Sequence, residues 1–210
     1  MRMPEACKHA SEVAMNKRKA EITRKTLETN IKLSLNLDGT GKSSIHTSIG
    51  FMDHMLTLWS RHGLFDVKIT ARGDLDVDYH HTVEDIGLTL GMALDKTLGN
   101  RKGINRYGYS IVPMDEALAL VSLDISGRPY LHYCVKTARK KIKDFPVELI
   151  EEFFRALTTR AGLTLHIKLL DGKDPHHIHE AIFKGFSKAL QTAVTINPRN
   201  RGIPSTKGLI

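Results

Sequence analysis

Two stretches of the chain carry the residues best suited to chemistry. Residues 78–94 read DYHHTVEDIGLTLGMAL, and residues 174–190 read DPHHIHEAIFKGFSKAL. The aspartate, both histidines, the glutamate and the closing Ala-Leu pair recur at a constant offset of 96. Imidazole and carboxylate together are ligands for a divalent metal, and the mixed set suits manganese, iron or zinc better than calcium or magnesium. On a helix, His80 and Glu84 stand at i and i+4 and reach one ion from one face, while His81 is turned about 100° away. The same holds for His176 and Glu180, with His177 apart. Each adjacent histidine pair therefore serves two ions. If the two helices approach each other, His80 and Glu84 can share a metal with His177, and His176 and Glu180 with His81. Another registration, or a helix from another subunit, satisfies the same geometry. A single HHxxE reads as easily as an exposed helix start, but two copies in register inside a repeat point to metal. Asp78 and Asp174, two residues before each pair, read as N-caps, the alternative being partners of the ligating histidines.

The elements that must position these motifs repeat as well. SRHGLFDVKITARGD, upstream of the first motif, is echoed by TRAGLTLHIKLLDGKD before the second. NIKLSLNLDG alternates as a strand, SSIHTSIGF reads as another, and FDVKITARGD as a third. Helices are expected from about Met52 to Arg61, stopping near Gly63, and from about His80 to Leu98, ended by Gly99-Asn100. In the second half YGYSIVPM, ALALVSLDIS, YLHYCVK and LTLHIKLLDG read as strands. Pro146 opens a helix through about Thr158, and a last helix runs from His176 to about Val194. The expectation is an α+β protein of two tandem βββαβα-like halves, residues 19–105 and 106–210, after a loose basic arm at 1–18. Each sheet is covered by its helices; whether the helices also meet between the two sheets is open.

Composition narrows the function classes. A chain of 210 residues with 41% hydrophobic content can bury a real core. It has no apolar run long enough for a membrane span and no secretory-type apolar segment near Met1. Cys7 and Cys134 are too few for a disulfide framework, and a reducing cytoplasm fits; Cys134 reads as a buried strand residue. The net charge of +8 asks for an anionic partner. The cations are dispersed apart from NKRK and Arg139–Lys141, so a small phosphorylated substrate fits better than nucleic acid. His46, His62, His166 and His179 read as structural or peripheral, and Met52, Met55, Met92 and Met114 as core.

From about Arg18 onward the chain resembles the imidazoleglycerol-phosphate dehydratase family. The stretches that carry the resemblance are RKTLETN, LNLDGTG, GFMDHML, HHTVEDIGLTLG, GINRYG, PMDEALALVSLDISGRP, HHIHEAIFKGFSKAL and PSTKG. It implies a ribosomal S5 domain 2-like fold and the loss of water from imidazole glycerol phosphate to give imidazole acetol phosphate, in histidine biosynthesis. The proton lost sits on a carbon that no carbonyl acidifies. Two divalent ions per site, manganese foremost, would favour the imidazolate form of the ring, which can expel the adjacent hydroxyl. A carboxylate or imidazole then takes the carbon proton. The ligands implied are His54, His80, His81, Glu84, His176, His177 and Glu180. Glu180 also matches an acid–base position, with Lys184 a turn further on, and Glu28 matches a second carboxylate near substrate. Arg106, Arg128, Ser205 and Lys207 match phosphate-binding positions. The resemblance further implies homo-oligomers, trimers assembling to a 24-mer with sites completed at subunit contacts.

One position departs from the family. Where relatives carry a ligating histidine in the helix reading VELIEEFFRAL, this chain has Glu152. Either the carboxylate ligates, giving a harder site that favours manganese, or water completes the shell. Two competing readings remain: a metal-dependent phosphoester hydrolase, and a non-catalytic protein assembled through metal. The first lacks the Asp-rich bridging cluster of two-metal phosphatases, and the second leaves Glu28, Lys184 and PSTKG without a role.

Overall fold

The computed structural model describes residues 18–210; the basic arm, apart from Arg18, and Cys7 lie outside them. Hydrophobic alternation builds the first sheet. In β2 (Thr29–Asn36), Ile31, Leu33 and Leu35 point inward while Asn30 and Lys32 stay exposed; in β4 (Asp66–Gly73), Val67, Ile69 and Ala71 do the same. These two strands pair antiparallel at the centre, flanked by β1 (Lys19–Lys25) and β3 (Ser43–His46), in the order β1-β2-β4-β3. Because β3 and β4 are parallel, a crossover must join them. The helix α1 (Gly50–Gly63) supplies it, and α2 (His80–Leu98) follows β4.

The second half repeats this path. Its strands β5 (Tyr107–Met114), β6 (Ala117–Asp124), β7 (Tyr130–Cys134) and β10 (Thr164–Asp171) form a sheet in the order β5-β6-β10-β7. Here too the last strand is antiparallel to one neighbour and parallel to the other. The crossover helix is α3 (Leu149–Ala161), and α4 (Pro175–Val194) follows β10. The α+β fold of two βββαβα units is therefore present. Both α1 and α3 end in the same turn: Leu64 and Gly162 adopt left-handed φ values of 59° and 65°, and the next N–H bonds back to Ser60 and Thr158, each at 3.1 Å.

All four helices lie between the two sheets, packed across the halves, α2 on α3 and α1 on α4. Glycines permit the closest approach. A Cβ at Gly87 would lie 2.5 Å from the Phe153 carbonyl oxygen, and one at Gly91 2.6 Å from that of Leu157. The core between the layers is aromatic: Trp59, Phe153, Phe154, Phe183 and Phe186 are all buried, and the Phe154 and Phe183 rings lie 5.2 Å apart. No helix among the described residues is long and apolar enough to cross a membrane.

Several expectations need correction. The first half has a further strand, β1, ahead of the three that the alternation marks, because only Ala20 and Ile22 give its inner face an apolar signal. Pro146 does not open α3. It lies in a short hairpin of β8 (Lys141–Ile142) and β9 (Phe145–Pro146), and the helix begins at Leu149. Cys134 is exposed because β7 turns it to the outer face. Met92 is 37% exposed on α2 rather than core.

Candidate metal centre and active site

The two motifs open α2 and α4 as the helical spacing requires. Asp174 is the N-cap of α4 and accepts from the His176 N–H at 2.8 Å, while Asp78, one residue before the N-cap Tyr79, accepts from the His80 N–H at 2.7 Å. On α4, His176 and Glu180 share a face, with His176 Nε2 and Glu180 Oε1 3.2 Å apart. The packing of α1 against α4 brings His54 Nε2 to 2.8 Å from the same oxygen. Two imidazoles and a carboxylate thus offer atoms within 4.8 Å of one another. This donor set fits a divalent ion of the manganese, iron or zinc group. The other oxygen, Glu180 Oε2, accepts from Lys184 Nζ at 2.6 Å. Burial works against ionisation of Glu180, but the bonds from Lys184, His54 and His176 outweigh it and hold the group down at about 2.

On α2, His80 Nε2 and Glu84 Oε2 lie 3.9 Å apart, both half exposed. The helix packed beside them is α3, and Glu152 lies ten residues before its left-handed end, as His54 does on α1. Glu152 is therefore the counterpart of His54 in the repeat, but it forms no three-donor group with His80 and Glu84. Its carboxylate is 3.4 Å from Arg155 on its own helix.

The second histidine of each motif faces elsewhere. His81 joins Asp74 and Glu28 in the other three-donor group among the described residues, and His177 lies against Glu116 and Asp115. Neither enters the cluster of the opposite motif within one chain. Nothing in the sequence singles out Asp74 or Glu116: RGD closes the expected strand FDVKITARGD, PMDE belongs to a stretch that carries only the family resemblance, and folding alone brings them to histidines. His179, between the two ligand faces, is buried and donates from Nδ1 to the Pro175 carbonyl at 2.6 Å; burial pushes its pKa down to about 4.

The phosphate-binding candidates gather at the far end of the second sheet. Arg106 forms a two-pronged pair with Asp124, at 2.6 and 3.0 Å, and donates to the Pro204 carbonyl at 2.8 Å. That bond ties down the segment in which Ser205 Oγ accepts from the Lys207 N–H. Arg128 is exposed beyond Ser126. Tyr107, Asp124, Tyr130 and Thr164 meet in register at this end, whereas α4 begins after Asp171 at the other. The two ends of an eight-residue strand are separated by roughly 25 Å.

A family model described as imidazoleglycerol-phosphate dehydratase matches residues 47–190. The chain belongs to the imidazoleglycerol-phosphate dehydratase family. Curated relatives of that name include the Acetivibrio thermocellus protein, 54% identical over 92% of this chain and 99% of its own. The Thermodesulfovibrio yellowstonii protein is 56% identical over 92% of this chain and 100% of its own. Among solved structures, imidazoleglycerol-phosphate dehydratase from Staphylococcus aureus superposes with a TM-score of 0.78 at 42% identity, covering 85% of this chain and 99% of that one. The enzyme from Pyrococcus furiosus in complex with (S)-C348 gives 0.79 at 41% identity, covering 90% and 100%. As an imidazoleglycerol-phosphate dehydratase, the chain is a lyase of histidine biosynthesis.

Proposed function

We propose that the dehydration runs on two divalent ions, manganese foremost, and in sites shared between copies of the chain. The observation that carries this reading is the convergence of His54, His176 and Glu180 on one point, with His80, Glu84 and Glu152 at the corresponding positions of the repeat. When bound, such ions act as Lewis acids on the ring nitrogens and favour the anionic ring that can expel the hydroxyl. Glu180 is the anionic ligand, since a carboxyl held at about 2 is a weak base near neutral pH. Lys184, against its second oxygen, keeps that charge neutralised and holds a proton donor beside the ligand. Glu28, exposed beside His81, is the carboxylate free to take the carbon proton.

Assembly follows from the same geometry. In one chain, Arg106, Arg128, Ser205 and Lys207 lie a strand length from His54, His176 and Glu180, too far for a ring, three carbons and a phosphate to bridge. The phosphate therefore meets cations of one copy while the ring meets ligands of another, and His81 and His177 complete the ion shells of neighbouring copies. The outer face of the second sheet supports such contacts: Tyr107, Tyr109, Ile111 and Tyr130 are 57, 78, 55 and 55% exposed there.

The test is to load the protein with Mn2+, add imidazole glycerol phosphate, and follow ketone product, free phosphate and sedimentation together. Ketone formation that stops on chelation and returns with Mn2+ is expected. Full activity in metal-free protein, or in a monomer, overturns the proposal; phosphate without ketone replaces it with a hydrolase.

A further inference from the structure

We infer that Asp74 and Glu116 are positioning residues that accept from Nδ1–H of His81 and His177, so that Nε2 is the atom each histidine offers to a metal. The inference rests on the metal reading above but has its own geometry. Asp74 Oδ2 lies 2.9 Å from His81 Nδ1, and Glu116 Oε2 lies 2.7 Å from His177 Nδ1. In both cases the nitrogen next to the side-chain stem is the one engaged, which leaves the outer nitrogen free. A neutral imidazole that donates from one nitrogen can only accept or ligate through the other, so the carboxylate selects the tautomer. Asp115 Oδ2 is 3.9 Å from His177 Nε2, too far for a hydrogen bond.

In the second half the acceptor is itself held. Glu116 Oε1 accepts from the backbone N–H groups of Lys173 and Asp174, at 3.2 and 2.8 Å, in the loop that opens α4. Glu116 thus ties its histidine to the start of that histidine's own helix. Asp74 follows Gly73 at the end of β4, and its Oδ1 is buried without a partner.

The repeat argues that these bonds serve the histidines rather than the fold. The first half takes its acceptor from the residue after Gly73. At the matching place after Gly172 the second half has Lys173, which cannot accept. The acceptor there comes from a different element, the tight turn between β5 and β6. A bond that merely followed from the shared path would come from the same element in both halves. Here the elements differ and the bonded nitrogen is the same. Carboxylates that orient ligating histidines in this way typically change metal affinity by roughly 10- to 100-fold when removed.

Two readouts test this. Imidazole 15N spectra of metal-free wild type should show His81 and His177 protonated at Nδ1, and in Asp74→Ala and Glu116→Ala the affected ring should revert to a mixture. By chelator competition, each Ala variant should bind one of its Mn2+ ions roughly 10- to 100-fold more weakly, with Glu116→Gln and Asp74→Asn falling between. Wild-type rings protonated at Nε2 overturn the inference whatever the metal result, as do Ala variants with wild-type Mn2+ affinity. A wild type that binds no Mn2+ while its rings remain fixed at Nδ1 overturns the metal reading instead.

Discussion

The two proposed metal clusters share one plan and differ in enclosure. Between α1 and α4, Glu180 has a side chain only 10% exposed, contacted by His54, His176 and Lys184. Between α2 and α3, Glu84 is 45% exposed and stands 3.9 Å from His80, with Glu152 beside Arg155. The residue types follow the same line, since Glu152 occupies the repeat position of His54. His179 lies buried on α4, where the matching residue of α2 is Val83. The repeat supplies two similar frames, and side chains make one cluster closed and the other open. The closed cluster should hold its ion more tightly, and Mn2+ titration of metal-free protein should resolve a tight and a weak step. Two equal steps would remove the distinction.

Substitutions can break that contrast. Glu180→Gln removes the anion at the centre of the closed cluster and leaves Lys184 unpaired. Turnover should fall by roughly 10^2- to 10^3-fold, the scale of a lost electrostatic contact at the reacting group, and the tight step should vanish. Retention of the tight step would move Glu180 out of the ligand set.

Acid should act on the closed side through His179. Its folded pKa, about 4, lies below the ordinary 6.5. The unfolded chain therefore binds the extra proton first, so stability is full above pH 6.5 and is lost as pH falls toward 4. The loss should reach ~3 kcal/mol over that window. Denaturant titrations of metal-free wild type and His179→Gln at pH 7 and 4.5 check this, since the variant should lose less.

Gly87→Ala acts on the open side. The added methyl meets the α3 backbone and should cost about 1–3 kcal/mol, read by denaturant midpoint, and should weaken the second Mn2+ step by displacing α3. Glu152→Ala is expected to have the smallest effect. It should weaken only the second step, by about tenfold or 1.4 kcal/mol, and an unchanged step would take Glu152 off the ligand list.

Much of this was legible because the repeat reports itself. The motif offset of 96, the cap at Asp174, and α2 from His80 to Leu98 follow from local rules of spacing and capping. What stayed hidden depends on contacts between distant segments. Glu116 lies in a turn whose sequence has nothing metal-like, and meets His177 only when β5, β6 and α4 are assembled. Pro146 carries a helix-start signal, but it pairs with Lys141 in a hairpin, and the next N–H, of Val147, bonds the Lys140 carbonyl. Cys134 and Met92 are residue types that favour burial, placed on faces set by strand parity and helix rotation. The distance between the Arg106 end and the His176 end of the second sheet required the strand register.

The layer of helices between the sheets has a consequence for how the chain comes apart. Each half presents to the other the faces that Gly87, Gly91, Trp59 and Phe183 help shape, and neither half can keep those faces dry alone. Separate melting of the halves would expose the whole aromatic layer at once. Heat should therefore unfold the chain in one calorimetric step. A chain severed in the loop near Gly99 should regain structure only when both pieces are present, each piece serving as the other's interior.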